Sequence, residues 1–369
     1  MLGNRVRAGL LLTCLLGLAA CAGSPAGPPQ QAASPSPAAD IAILVQGLEA
    51  PWSLDFAPDG RIFVAERTGA VRVIKDGKLA AEPWLRLEVA ATGEAGLLGL
   101  AVDPDFERNG LVYAAYTYSD SGRLTNRLVR LREAGGRGDL DGILVDGIIG
   151  AAIHDGGRLK FGPDGKLYWT IGDAGDTGTA QDLDSRNGKI LRLERDGTAP
   201  GDNPFPGSLV YSYGHRNPQG LAWQPGTGRL YATEHGPAGR DEVNFIEPGK
   251  NYGWPGITGD ETRAGMEPPV RHSGSETWAP SGAAFARSGQ WAGSLLFTGL
   301  RGQSLYRLSL DPTDPRRVVA FEKLLTGRYG RLRDIVAGPD GAVYILTSNR
   351  DGRGSVRPGD DKLLKLTLR

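Results

Sequence analysis

Beyond residue 40, Val, Ile, Leu, Tyr and Trp fall in short runs that alternate with polar residues or are apolar throughout, each bounded by Gly, Pro, Asp or Asn. Such runs read as β-strands, whereas a helix would repeat its apolar positions every three to four residues over about ten or more. No helical pattern of that length is found beyond the N-terminal segment. The runs also repeat. Ala57-Pro58-Asp59-Gly60 leads into RIFVAE, Asp103-Pro104-Asp105-Phe106 into NGLVYAAY, and Gly162-Pro163-Asp164-Gly165 into KLYWTIGD. Gln224-Pro225-Gly226 with Gly228 leads into RLYATE, Ser288-Gly289-Gln290-Trp291 precedes SLLFTG as a degenerate copy, and Gly338-Pro339-Asp340-Gly341 leads into AVYILTS. In each full copy Pro presets φ for the turn, Asp hydrogen-bonds the local backbone, and Gly takes the positive φ before the next strand.

Successive copies lie roughly 45 to 60 residues apart, room for four short strands each. Further strand and hairpin signals at AVRVIKDGKL (Ala70 to Leu79), KILRLERDG (Lys189 to Gly197), SLYRLSL (Ser304 to Leu310) and the C-terminal KLLKLTL fill the intervals. Six copies predict an all-β fold, a six-bladed β-propeller of four-stranded antiparallel blades over residues 41–369. No domain boundary is expected inside it, because a ring cut midway would expose sheet surface.

Residues 1–40 carry a different pattern. Arg5 and Arg7 precede an apolar stretch from Leu10 to Ala20, too short for the roughly 20 residues of a membrane-spanning helix. Residues 1–21 read as a signal peptide, and Leu18-Ala19-Ala20-Cys21 resembles the lipobox of bacterial lipoproteins. The resemblance implies acylation of Cys21 and a periplasmic protein anchored by lipid, at the outer membrane of a Gram-negative bacterium. An ordinary signal peptide with an incidental cysteine is the alternative. Residues 22–40, AGSPAGPPQQAASPSPAAD, have almost no large apolar side chain and read as a flexible linker. Cys14 would leave with the signal peptide, so no disulfide is available and the domain must rest on its core. Glycine, at 55 of 369 residues, is about twice its usual frequency, as many tight turns require. Lys plus Arg and Asp plus Glu are equal at 42 each, so no global field draws in nucleic acid, and membrane contact is expected only through the lipid.

In a propeller the loops at one end converge on the central channel, so polar residues flanking the inner strands are the candidates for chemistry. His154 opens the segment HDGGRL and is followed after one turn and strand by Asp173. A lone histidine in such a place is ordinarily a structural hydrogen-bonder. One blade later, Tyr213-Gly214-His215-Arg216-Asn217-Pro218-Gln219-Gly220 packs four polar side chains between glycines and a proline, a loop that binds a ligand or forms a hydrogen-bonded blade corner. Glu234-His235-Gly236-Pro237, with Asp241-Glu242 and Asn251-Tyr252-Gly253-Trp254-Pro255, offers bare carbonyls beside carboxylates. Oxygen donors of this kind suit Ca²⁺ rather than zinc, because His154, His215, His235 and His272 form no close-spaced pair. Arg301, Arg331 and Arg333 come from the last two blades and suit a polyanionic ligand, or else pair with surface acids such as the adjacent Asp334.

Taken in order, GLLGLAVDPDF from Gly96, HDGGRLKFGPDGKLYWTIGD from His154, GHRNPQGL from Gly214, EHGP from Glu234, NYGWP from Asn251 and RLRD from Arg331 resemble the glucose/sorbosone dehydrogenase family. That family comprises quinoprotein glucose dehydrogenases and aldose sugar dehydrogenases, six-bladed propellers that use pyrroloquinoline quinone (PQQ) and calcium. The likeness runs from about Leu48 to the C-terminus. It implies that His154 is the base for the anomeric hydroxyl of an aldose, with hydride passing to the quinone and electrons on to an external quinone or cytochrome. It further implies that Asp173 supports the imidazole and that Arg216 meets the quinone oxygen. Glu94, Arg216, Asn217, Gln219, Arg301, Arg331 and Arg333 would line the cofactor. The carbonyls of Gly236 and Pro237 would hold an active-site calcium, and Glu242 with the Tyr252 carbonyl a second one. Glu94 stands where glucose dehydrogenases have glutamine, and Trp278 fits either the pocket wall or blade packing. A calcium-dependent lactonase and a non-catalytic ligand-binding propeller are the alternative readings of the same fold.

Overall fold

The computed structural model describes residues 39–369; the signal peptide, Cys21 and nearly all of the linker lie outside the described residues. Six antiparallel sheets follow one another along the chain. The first blade comprises Pro51–Phe56, Ile62–Glu66, Ala70–Lys75 and Lys78–Leu79, and a further short strand, Leu85–Arg86, also pairs with Ala70–Lys75. The second comprises Leu97–Val102, Leu111–Asp120, Arg123–Ala134 and Arg137–Ile149, the third Leu159–Phe161, Leu167–Ile171, Lys189–Leu193 and Val210–Tyr213. The fourth comprises Pro218–Trp223, Leu230–Glu234, Glu242–Ile246 and Arg271–His272, the fifth Pro280–Phe285, Leu295–Gly299, Leu305–Leu310 and Val318–Leu324. The sixth is built from both ends of the chain: Leu332–Ala337, Val343–Thr347 and Lys362–Thr367, with Asp40–Gln46 added as its outer strand. Asp40 faces Thr367 and Gln46 faces Lys362 across that last ladder, so the ring is closed by hydrogen bonds between the termini.

The repeated turns work as the sequence predicts. In the first blade Gly60 N–H reaches Ala57 O at 3.0 Å, Asp59 accepts Arg61 N–H at 3.1 Å, and Gly60 sits at φ 85°. The Gly162–Gly165 and Gly338–Gly341 copies repeat this geometry, with Gly165 and Gly341 at φ 73° and 79°. Two copies depart. Asp103 opens into a helical turn, Phe106–Asn109, closed by Gly110 at φ 63°, and the degenerate copy becomes a 3₁₀ turn, Gly289–Trp291.

The sheets pack face to face around the axis. Phe63, Val71, Leu97, Leu100, Val112 and Val129 fill the space between blades one and two, and Trp169, Tyr113 and Leu191 that between two and three. Burying each large side chain stabilises the fold by about 1.5–3 kcal/mol. At two positions near the axis the inner strands leave no room for a side chain. A Cβ on Gly220 would fall 2.3 Å from Ser281 O, and one on Gly282 2.1 Å from an Asp334 carboxylate oxygen. Trp278, 2 % exposed, packs on Phe297, Tyr306 and Phe321 and serves blade packing rather than the pocket wall.

Candidate active site

The loops that enter the innermost strands, and those joining second to third strands, meet at one mouth of the channel around a cavity of about 680 Å³. His154 enters its wall just ahead of the inner strand of blade three. Its backbone is left-handed, φ 60°, a conformation that His adopts more readily than a β-branched residue. Three contacts hold it. His154 N–H donates to Glu94 Oε2 at 3.2 Å, its carbonyl accepts Ala174 N–H at 3.2 Å, and Gly172 leaves space for that carbonyl, since a Cβ there would lie 1.9 Å from it.

The ring nitrogen Nδ1 lies 2.7 Å from Asp173 Oδ1. Asp173 is fully buried; Oδ1 also accepts Gly175 N–H at 2.8 Å and Oδ2 accepts the Trp254 indole N–H at 2.8 Å. Burial opposes ionisation of Asp173, but the hydrogen bond from His154, with those from Gly175 and Trp254, outweighs it and holds the carboxyl below its usual range. An anionic Asp173 selects the tautomer with the proton on Nδ1 and leaves Nε2 free to accept a proton. Trp254 also places its ring 5.3 Å from the Arg216 guanidinium, which in turn donates to His235 O at 3.2 Å.

Arginines dominate the rest of the wall. Arg331 donates through Nε and Nη2 to one oxygen of Asp351, both at 2.8 Å. Arg333 donates to Gln219 Oε1 at 2.9 Å and lies 3.5 Å from the same Asp351 oxygen. Burial draws its pKa down to about 9 despite Asp351, and its Nε is buried without a partner. Arg301 borders the cavity and makes no salt bridge among the described residues. Arg67 donates to the carbonyls of Gly93 and Asp351, and Arg353 pairs with Glu94 Oε1 at 2.7 Å. Burial opposes ionisation of Glu94 too, but the neighbouring charges on His235 and Arg353 hold it low; His235 is itself pushed toward the neutral form by burial, so Arg353 is the lasting partner. Arg67, Arg216, Arg301, Arg331, Arg333 and Arg353 face Glu94, Asp241 and Asp351, an excess of three positive charges. Asp241 is spent on the scaffold, accepting N–H groups of Gly236, Trp278 and Ala279.

Gly236 also borders a neighbouring void of about 10 Å³, lined with Pro237, Glu234, Glu242 and Tyr252, room for one water or ion. Burial and the adjacent Glu234 push the Glu242 carboxyl up to about 8, strain that a cation would relieve. Among the described residues no hydrogen-bond donor reaches the carbonyl oxygens of Gly236 or Pro237, so both remain available as hard oxygen ligands. No group of three or more His, Cys, Asp or Glu side chains is arranged around a common metal position among the described residues; a cation would rest largely on main-chain oxygen.

His154, Arg216, Gln219, Gly236, Arg301, Arg331, Arg333 and Glu94 thus share one wall, with Asp173 directly behind it. Asn217 is placed elsewhere. It is fully buried and not part of the cavity lining; its carboxamide oxygen accepts Gly156 N–H at 3.0 Å and braces backbone two residues past His154, while its Nδ2 has no partner among the described residues. His215, between Glu234 at 2.8 Å and Ser212 at 2.9 Å and stacked on Tyr252, is a blade corner. The sequence reading missed Arg67, Asp351 and Arg353, whose common signal is their place in the loops after second strands; His235 was noted only as part of the segment Glu234 to Pro237.

Fold and site together define a six-bladed propeller with an arginine-rich cavity beside a histidine backed by a carboxylate. The chain belongs to the glucose/sorbosone dehydrogenase family, whose profile matches residues 48–364. The PQQ-bound aldose sugar dehydrogenase of Streptomyces coelicolor superposes with a TM-score of 0.81 at 39% identity, covering 90% of this chain and 99% of that one. Aldose sugar dehydrogenase YliI of Escherichia coli is 33% identical over 85% of this chain and 91% of its own. Quinoprotein glucose dehydrogenase B of Acinetobacter calcoaceticus is 30% identical over 94% and 92%.

Proposed function

We propose that this chain is a PQQ-dependent aldose dehydrogenase that oxidises the C1 hydroxyl of aldose sugars to lactones. The observation that carries the reading is His154 at 2.7 Å from buried Asp173, on a wall whose arginines exceed its carboxylates by the charge of a tricarboxylate. PQQ, when bound, would supply a two-electron acceptor for the C1 hydride, with an external quinone or cytochrome as the final acceptor. The rest is the chain's own chemistry. His154 takes the C1 hydroxyl proton at Nε2, and Asp173 stabilises the imidazolium that results. Arg216 places a guanidinium where negative charge develops. Arg301, Arg331 and Arg333 would take the cofactor's carboxylates, with Gln219 and Glu94 beside them. The carbonyls of Gly236, at the cavity's edge, and Pro237 would hold a calcium ion, and Glu242 with the Tyr252 carbonyl are hard oxygen donors for a second; the small void between them has room for only one of the two.

Dye reduction by the protein supplied with PQQ and Ca²⁺, across a panel of aldoses, tests this. Cofactor-dependent turnover of at least one aldose is expected; protein that binds the quinone yet turns over none removes the enzymatic reading. We also infer that the chain is exported and lipid-anchored at Cys21. No helix among the described residues is long and apolar enough to cross a membrane, so Cys21→Ala should move the protein from the membrane fraction to the periplasmic fluid, and a distribution unchanged by the substitution contradicts the anchor.

A further inference from the structure

A second cavity, of about 630 Å³, opens at the opposite mouth of the channel, walled by the far ends of all six innermost strands. Arg158 stands between the two cavities. It is 1 % exposed; Nε donates to Gln219 O at 2.7 Å, Nη1 pairs with Asp334 at 2.9 Å, and the guanidinium lies 4.3 Å from the Trp52 ring. Gln219 belongs to the first cavity's wall and Arg158 to the second's.

The second mouth has the make-up of a small-molecule site, an apolar wall with a few converging polar groups. Phe56, Phe161, Trp223 and Phe285 supply aromatic surface. The polar groups are donors in excess. Arg158 Nη2 is buried with no hydrogen-bond partner. Lys160 donates to Leu221 O at 3.1 Å and Ala283 O at 2.9 Å, leaving one of its three N–H donors over. Arg287 is exposed on the rim and makes no salt bridge among the described residues. The acids answer them only in part: Asp334 pairs with Arg158 and, with Asp55, favours the charged form of Lys160, but Asp55 also accepts the N–H groups of Phe56 and Val102 and Asp334 those of Leu54 and Ile335, and Arg287 has no acid of its own among the described residues.

We propose that this mouth binds a compact amphiphilic anion, a single carboxylate on an aromatic body, with the carboxylate between Lys160 and Arg287 and the ring against Trp223 and Phe161. Burial draws the Lys160 pKa down to about 8, so an anion beside it would favour its charged form. The inference does not depend on the reaction at the arginine-rich mouth.

Calorimetric titration of the protein with 2-naphthoate, and with the uncharged 2-naphthamide, tests it. Naphthoate should bind at least tenfold more tightly than the amide. Lys160→Met should weaken naphthoate about tenfold, and Arg287→Glu, an exposed change that leaves the core intact, at least fivefold. Arg301→Glu, at the other mouth, should leave it unchanged. Absence of binding at millimolar naphthoate, equal affinity for the amide, or binding lost in Arg301→Glu but kept in Arg287→Glu overturns the proposal. If Lys160→Met does not fold, the Arg287→Glu and Arg301→Glu pair decides.

Discussion

The two mouths of the channel enclose nearly equal volumes, about 680 and 630 Å³, at opposite ends of the same six strands, yet they differ in what those strands run into. At one end they meet Gly- and Pro-punctuated loops, those that enter the inner strands and those that follow the second strands, where six arginines and two histidines line the space. At the other they run into the tight repeated turns, which hold their own Asp and Gly residues in place and leave aromatic strand ends to line the space. The difference teaches that a propeller's repeat constrains one mouth to structure and frees the other for chemistry. Loops that need not close a turn can present polar side chains; the turn mouth keeps few charges, Asp55, Arg158 and Lys160 along the inner strands and Arg287 on the rim.

That contrast can be broken or sharpened by substitution, beginning with the largest effect. His154→Asn, chosen because Asn also tolerates left-handed backbone, should lower kcat by about 10² to 10⁴ with folding intact; steady-state kinetics beside circular dichroism checks it. Arg331→Ala should weaken PQQ by at least about tenfold, the scale of a charge-assisted hydrogen bond, read by equilibrium titration, whereas Arg287→Glu should leave PQQ affinity unaltered. Chelation of calcium should lower Tm by several degrees, restored by added Ca²⁺, as loss of a ligand bound only to the folded state requires. The smallest effect lies at the turn mouth. Burial depresses the Lys160 pKa from 10.5 to about 8 in the folded chain, so its contribution favours the fold above about pH 10.5 and is lost as pH falls through about 8. Between those values the folded chain has already released a proton that the unfolded chain keeps. Lys160→Met should therefore remove a rise in Tm of roughly a few degrees between pH 8 and 10.5, seen by comparing melting curves of the two proteins.

The fold was legible because its turns are local: Pro, Asp and Gly at fixed offsets specify each one without reference to distant residues. Ring closure was not, since nothing near Asp40 announces that it will pair with Thr367 across the whole chain. The helical turn at Phe106–Asn109 escaped for a related reason, its Pro-Asp pair suiting a tight turn and a helix start alike. Within the site, His154, Asp173 and Arg216 were found as polar residues beside inner strands. Arg67, Asp351 and Arg353 follow second strands, and only the antiparallel order of a blade shows that those loops return to the same mouth. Asn217 lies in the same loop as Arg216, with its carboxamide oxygen on Gly156 N–H, a contact that a loop without periodicity does not encode.

The central claim concerns the arginine-rich mouth, and anaerobic mixing of the PQQ- and Ca²⁺-loaded protein with aldoses while the absorption of the bound quinone is followed tests it most directly. The account predicts loss of the oxidised spectrum on adding at least one aldose, slowed by a hundredfold or more in His154→Asn. A bound quinone whose spectrum no aldose changes, or one reduced equally fast without His154, would contradict it.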